Sequence, residues 1–338
     1  MHLLAADAKR IDDGEGAVEL GQSPGDIVFL SMADTELAGL AAAARRLPRG
    51  GPVFRLANPA RLTHPLSVDL YVERTLRHAR LVVVRMMGGV GYWTHGLEAL
   101  RALARAGGPR LVVVPGDDRW DAALEDYSTE PAEVCRTFWR YCAEGGPANL
   151  LNALRFAAHL IGQGDAPPEP EVLPKAGYLW PGGPSPVSAR KGTAGRAVPV
   201  IFYRALVQSG DTAPIEALAA ALAERGLIAL PIFVTSLKDR EAETFLDAAF
   251  RRDPPAVVIN ATGFAVSRLG RTHEPTVLDR PGRPVLQLSF SGSSEAAWAG
   301  SPRGLSARDL VMSVVLPELD GRLFTRTVSL RKRASRTR

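Results

Sequence analysis

The sequence predicts an α/β protein: two doubly wound, mostly parallel-sheet domains joined by a Pro/Gly-rich linker. Three observations carry that expectation. Short, continuous, β-branched runs, Leu81–Val84 and Leu111–Val114 foremost, read as strands buried on both faces. Segments between such runs repeat apolar residues at i, i+3, i+4 and i+7, the helical period, so strand and helix alternate as in a parallel sheet with crossover helices. Residues 164–197 are rich in proline and glycine (Pro167, Pro168, Pro170, Pro174, Pro181, Gly182, Gly183, Pro184, Pro186) and keep no apolar period, which marks a connector between domains. The expected division is a first domain at 1–163, the linker at 164–197, a second domain at 198–325 and a basic, unstructured tail at 326–338. No internal repeat is visible beyond the two α/β halves.

In the first domain Ile27–Leu30 is a strand, and Ser31 and Asp34 start a helix striped by Leu37, Leu40, Ala41 and Ala44. Pro52–Ala57 is the next strand, and Ser67 opens a helix through Leu70, Tyr71 and Leu76. Leu81–Val84, a helix over Gly96–Ala106, the strand Leu111–Val114 and helices over about 131–144 and 147–162 complete the domain. The second domain opens with a βαβ unit. Val198, Val200, Ile201 and Phe202 form its first strand, and Gln208–Thr212 break it with turn chemistry. Asp211 and Thr212 suit a helix N-cap, and Pro214 fits the first turn, where its missing N–H costs nothing. Ile215, Leu218, Ala219 and Leu222 share one face, Gly226 suits the left-handed closing position, and Leu227–Val234 is the second strand. Further strands are expected at Ala256–Ile259 and Pro284–Leu288, with a helix near Glu241–Arg251. A last helix begins with the capping-box-like Ser306 and Asp309, carries Leu310, Val311, Val314 and Val315 on its apolar side, and stops at Pro317.

Composition excludes several classes. The 338 residues, 46% hydrophobic and 23% charged, suit about two ordinary globular domains. No apolar run approaches the roughly 18 residues of a membrane span, and the N-terminal Leu3–Ala6 run is too short for a signal peptide, so the expected compartment is the cytoplasm. The net charge of +5 is concentrated in Arg331, Lys332, Arg333, Arg336 and Arg338; without these five, the 41 basic residues fall to 36 and match the 36 acidic ones. A neutral body argues against nucleic acid as a partner. Cys135 and Cys142 lie about 10 Å apart along one helix, too far for a disulfide. The six histidines, His2, His64, His78, His95, His159 and His273, show no metal-ligand spacing, and His159 reads as a partly buried, satisfied side chain.

Two strand-end loops of the first domain could carry chemistry. Met86–Trp93 follows a strand and precedes a helix, as a phosphate loop does, but Thr94 stands where the third glycine of G-x-G-x-x-G belongs and no Gly-Lys-Ser/Thr follows. It is either a nucleotide loop or a Gly-rich turn beside a crevice. Asp117 and Asp118 either hold a divalent metal or cap the following turn. In the second domain polar residues end four strands: Arg204 and Gln208, Ser236 and Lys238, Asn260 and Thr262, Gln287 and Ser289. If the strands are parallel, all emerge at one edge, where open α/β sheets bind ligands. Arg204 and Lys238 suit carboxylates, Arg through its planar fork and Lys as a point charge. Arg204, Asp211, Thr212, Ser236, Lys238, Asn260, Thr262 and Gln287 are the candidate substrate-binding set; loop packing and hydrogen bonding between domains is the other reading. No catalytic or metal-ligating residue is expected.

The stretch 202–239 resembles the cobaltochelatase large-subunit (CobN) family and, more distantly, the magnesium chelatase large subunit. The resemblance is carried by Phe202, Tyr203, Arg204, by Gly210–Ile215 (GDTAPI), by Gly226 and Leu227, by Phe233 and Val234, and by Ser236–Asp239 (SLKD). The Gly88-Gly89…Tyr92-Trp93 loop, Pro115–Asp118, Arg55–Asn58 and Ser67–Glu73 are similar to the family's N-terminal region, so the likeness covers most of residues 1–325. It implies an N-terminal part of a subunit that inserts cobalt into hydrogenobyrinic acid a,c-diamide in cobalamin biosynthesis. ATP is used by separate AAA+ and accessory subunits, and no Walker motif occurs here. Implied partners are those subunits, the remainder of the large subunit and the corrin precursor, with no nucleic acid and no membrane. The family text continues well beyond Leu316–Arg322, and the composition breaks at about Val328, so a truncated, frameshifted or split large subunit, inactive alone, is expected. The GDTAPI wording favours cobalt over magnesium. Outside the family, the alternatives are a two-domain small-molecule-binding or glycosyltransferase-like protein, and a scaffold that docks ATPase subunits.

Overall fold

The computed structural model describes residues 17–180, 197–263, 265–266, 275–302 and 304–331. His2, His273, the N-terminal Leu3–Ala6 run, Pro181–Arg196 of the proline/glycine-rich connector and Lys332–Arg338 of the basic end lie outside the described residues. The chain forms two compact units, Met1–Leu173 with Gln208–Gly210, and Pro174–Val207 with Asp211–Arg338.

The first unit holds four parallel strands, β1 (Ile27–Ser31), β2 (Phe54–Ala57), β3 (Leu81–Met86) and β4 (Arg110–Pro115), in the order β2-β1-β3-β4. The helices are α1 (Asp34–Ala44), α2 (Pro65–Arg74), α3 (Thr94–Arg105), the short α4 (Ala122–Glu125), α5 (Ala132–Glu144) and α6 (Gly146–Leu160). The strands are continuous apolar runs because both faces are covered. Val28, Leu30, Val82, Val84 and Val113 point into a core with Leu97 and Leu100 of α3, while Ile27, Phe29, Leu81, Val83 and Val112 point into another with Phe138, Leu150 and Leu154 of α5 and α6. The two-residue period of a strand sorts neighbours onto opposite faces. The outer edge of β4 is closed by side chains: Leu111 N donates to Thr129 Oγ1 (2.8 Å) and Val113 N to Ser128 Oγ (2.9 Å).

The second unit holds six strands in the order β10-β9-β8-β6-β7-β5. β6 (Ala197–Tyr203), β7 (Ile228–Val234), β8 (Val258–Asn260), β9 (Val285–Ser294) and β10 (Leu323–Arg331) are parallel to one another. The first βαβ is as the sequence predicts, with α8 (Ala213–Glu224) between β6 and β7 and Gly226 left-handed at φ +71°. An extra short helix, α7 (Arg204–Ser209), occupies part of the expected turn. Thr212 stands at the N-cap of α8, but its hydroxyl donates to Glu216 instead of capping. α9 (Arg240–Arg252) follows β7, capped by the Asp239 carboxylate.

Three features were not legible as strand or helix geometry. β5 (Ala176–Tyr178), inside the proline/glycine-rich connector, adds antiparallel to β7. Gly177 permits this, since a Cβ there would sit 2.7 Å from the Phe233 ring. Tyr178 then stacks on Trp180 and packs on Phe245 of α9, under the Arg252 guanidinium. β10 runs to Arg331, past the expected end of the domain at Thr325, because Thr327, Val328, Ser329 and Leu330 continue a pairable run beside β9. After α10 (Glu295–Ala299), α11 (Ala307–Leu310) begins under the expected Ser306 cap and continues through a π-helical turn, Val311–Val315, into α12 (Leu316–Glu318). A π-turn adds about one residue per turn and rotates the residues after it. Leu310, Val311 and Val315, expected on the apolar side, are exposed, and Met312 instead lies against Gly263.

Candidate functional site

Each sheet has one place where the chain leaves in opposite directions, the switch point at which open α/β sheets form a crevice. In the second unit it lies between β6 and β8, since β7 lies on one side of β6 and β8 on the other. Because β6 to β9 are parallel, their C-terminal ends emerge together, and all eight candidate residues lie on this edge or the loops that leave it.

The structure joins three of them directly. Asn260 ends β8 directly opposite Gln287 of β9, and both are fully buried. Asn260 Nδ2 donates to Gln287 Oε1 (2.7 Å), Thr262 Oγ1 donates to Asn260 Oδ1 (2.9 Å), and Gln287 Nε2 donates to the Thr262 carbonyl (2.7 Å). Buried amides need such partners, and here they find them in each other. The Ser289 hydroxyl, also buried, has no hydrogen-bond partner among the described residues.

The other five stand apart on the rim. Arg204, at the start of α7, donates through Nε to the Pro174 carbonyl (3.1 Å). Ser236 accepts the backbone N–H of Lys238 (3.1 Å), and the Lys238 side chain is exposed. Asp211 is exposed and Thr212 is held by Glu216. Lys175 forms ion pairs with Asp239 and Glu241 on the same side.

Sequence reasoning missed three members of this edge. Tyr203 donates to the Gly263 carbonyl (2.9 Å), and burial, the largest cause, pushes its phenol up to about 12. Asp320 accepts from Val266 N (2.7 Å) and from Arg322 Nη2 (2.6 Å), a buried ion pair. Burial lowers the affinity of Arg322 for its proton, and Asp320 offsets part of this. A charged Asp-Gly-Arg after an apolar helix was the available signal, but it reads equally as an exposed turn.

The first unit has its switch point between β1 and β3, and it is filled by a charge pair the sequence did not single out. Arg85, at the end of β3, is buried; its guanidinium meets Glu36 of α1 at 3.0 Å and donates to the carbonyls of Pro115 (2.5 Å) and Gly116 (3.3 Å). Glu36 also accepts from Ser31 Oγ (2.6 Å). Burial pulls the proton affinity of Arg85 down, but Glu36, with Cys142 and Asp117, more than restores it, and the net direction is up. Of the two loops, Met86–Trp93 is a folded turn: Gly88 and Gly89 are left-handed, the Tyr92 ring covers Gly88, and Trp93 Nε1 donates to the Leu62 carbonyl (3.2 Å). Asp117 caps its own turn through Arg119 N (3.0 Å). His95 pairs with Asp69 at the surface, and His159 is exposed rather than partly buried. Cys135 and Cys142 are free and buried, and burial pushes the Cys142 thiol up to about 12. Among the described residues no group of three or more His, Cys, Asp or Glu side chains could hold a metal ion, and no helix is long and apolar enough to cross a membrane.

Residues 139–338 match the family model described as CobN/Magnesium Chelatase. This chain belongs to that family. It is 50% identical over 98% of its length to the "Aerobic cobaltochelatase subunit CobN" of a Sinorhizobium species, and 40% identical over its whole length to the protein of the same description from Pseudomonas aeruginosa. It spans 27% of the length of each of these curated relatives. Among solved structures it is similar to the "Catalytic Subunit of Cobaltochelatase from Mycobacterium tuberculosis", with a TM-score of 0.70 at 26% identity over 91% of this chain and 25% of that one. The family matched is the one suggested by the GDTAPI and SLKD stretches.

Proposed function

We propose that this chain is an N-terminal portion of an aerobic-type cobaltochelatase large subunit, working in cobalamin biosynthesis in the cytoplasm. The observation that carries this reading is the 50% identity, sustained over 98% of the chain, to a curated aerobic cobaltochelatase subunit. Cobalt is the cargo and hydrogenobyrinic acid a,c-diamide the acceptor. ATP is hydrolysed by separate AAA+ and accessory subunits, and the insertion chemistry belongs to the remainder of the large subunit.

In this reading the C-terminal edge of the second unit contacts the carboxylate side chains of the corrin precursor. Arg204 and Lys238 supply the positive charge, Asp211, Thr212 and Ser236 supply rim hydrogen bonds, and the Asn260–Thr262–Gln287 network is the rigid floor beneath. Support comes from the common edge of four parallel strands and from the exposure of Lys238. A charge-assisted hydrogen bond contributes about 1.5–3 kcal/mol, so Arg204→Ala and Lys238→Ala should each weaken binding at least tenfold.

Calorimetric titration with hydrogenobyrinic acid a,c-diamide, beside ATP and a nucleotide sugar, tests this. Binding of the corrin alone, lost in the two variants, is expected. Binding of the nucleotide sugar without the corrin would overturn the reading in favour of a glycosyltransferase-like protein. The chain alone is expected to insert no cobalt, and unaided insertion by the purified chain would contradict that part.

A further inference from the structure

The helical segment Ala307–Glu318 leaves one apolar face uncovered. Leu310, Val311, Val315 and Leu319 are 39%, 46%, 46% and 41% exposed. Val311, Val315 and Leu319 lie four residues apart and Leu310 five before Val315, the spacing that a helix with a π-turn aligns on one side. The opposite side is seated: the Met312 backbone touches Gly263, and Pro317 is buried. Large apolar side chains gathered on one face mark an interaction surface, whereas scattered ones do not.

A second feature lies nearby, since α12 packs against β10 and the π-turn against β9. β10 is the edge strand, nine residues long, and no strand pairs with its far side among the described residues. Val328 on it is 44% exposed. A long uncovered edge is a template for another strand, and proteins normally blunt or cover it. The first unit does so, spending Ser128 and Thr129 on the edge of β4.

We propose that this flank, the Leu310–Val311–Val315–Leu319 face with the open edge of β10, is the docking surface for the part of a CobN-type large subunit that this chain does not contain. The occupant is argued from length. The two curated relatives devote 73% of their chains to sequence outside the matched part, and that larger portion must meet this one somewhere. The seven residues after Arg331, KRASRTR, do not fit an apolar face, since only Ala334 among them is apolar. A second copy of this chain would also bury the face, and the test separates the two. The inference rests on family membership and length, and does not depend on the corrin reading.

The probe is the complementary portion of the Sinorhizobium relative, purified separately and shown to be folded by a cooperative unfolding transition. Sedimentation velocity with the full 338-residue chain is expected to give a one-to-one complex, while the chain alone stays monomeric. Val311→Asp with Val315→Asp should weaken the complex at least tenfold, with circular dichroism reporting whether the variant keeps its fold. Hydrogen exchange on the unmodified chain needs no variant: amides of 311–319 and 323–331 should slow at least tenfold in the complex. Absence of a complex, a complex that leaves those amides unchanged, or self-association that protects the same amides would each overturn the proposal. Failure to bind the corrin would leave it standing.

Discussion

The two switch points share a topology and differ in what fills them. In the first unit the crevice is occupied by Arg85 and Glu36, a charge pair with the carbonyls of Pro115 and Gly116 recruited to it. In the second the floor is neutral, an amide–hydroxyl network of Asn260, Thr262 and Gln287, and the charges Arg204 and Lys238 stand on the rim. The first arrangement consumes its own electrostatics, which suits a strut. The second keeps cationic groups at the edge, which suits contact with anions. The same architecture therefore does not imply the same use.

The comparison can be broken most severely at Glu36. Glu36→Ala strands a buried guanidinium, and removing one partner of a buried pair costs about 3–5 kcal/mol. Urea unfolding should show that loss, while Glu36→Met with Arg85→Met should return stability close to that of the parent. If Glu36→Ala costs less than about 1 kcal/mol, the strut interpretation fails. In the second unit, Asn260→Ala leaves Gln287 and Thr262 short of partners and should cost about 1–3 kcal/mol. Gly177→Ala, forcing a Cβ against Phe233, should cost about 1–3 kcal/mol through overpacking and loosen β5, read as faster proteolysis near Tyr178. Lys238→Ala should change stability by less than about 0.5 kcal/mol, because the side chain is exposed.

Alkaline pH sharpens the same contrast. The Cys142 thiol of the first unit titrates at about 12 in the fold against 9.0 ordinarily, and the Tyr203 phenol of the second at about 12 against 10.0, burial being the main cause of both. Above the lower value the folded chain holds a proton that the unfolded chain has lost. Stability is therefore intact below that value and falls as pH rises toward 12. The loss should begin near pH 9 through Cys142 and near pH 10 through Tyr203. Cys142→Ala should reduce the earlier onset, which the buried Cys135 thiol shares, and Tyr203→Phe the later one, which Tyr71 and Tyr141 share, read from urea midpoints across pH 8 to 11.

The strands and most helices were legible because burial on two faces writes an unmistakable run, as at Leu81–Val84. β5 was not, because Ala176-Gly177-Tyr178 has no run and pairs only through a glycine that allows close approach. The π-turn was not, because periodicity assumes a constant rotation per residue. Within the candidate edge, the alignment of strand ends was legible once the strands were taken as parallel. What each polar residue does there was not: Asn260 and Gln287 look the same in sequence whether they meet a ligand or each other. Arg85 and Glu36 lie 49 residues apart, and no local pattern announces their pairing.

One short segment governs how this protein can be dissected. Gln208–Gly210 belongs to the first unit although the chain on either side of it belongs to the second. Gln208 there donates to the Ala143 carbonyl (2.7 Å), and Ser209 closes over Gly39. The polypeptide therefore enters the first unit twice, and no single cut yields both halves whole. A fragment ending at Leu173 would lack a piece of its own wall, so genetic dissection of the pair calls for a graft of that tripeptide rather than a deletion.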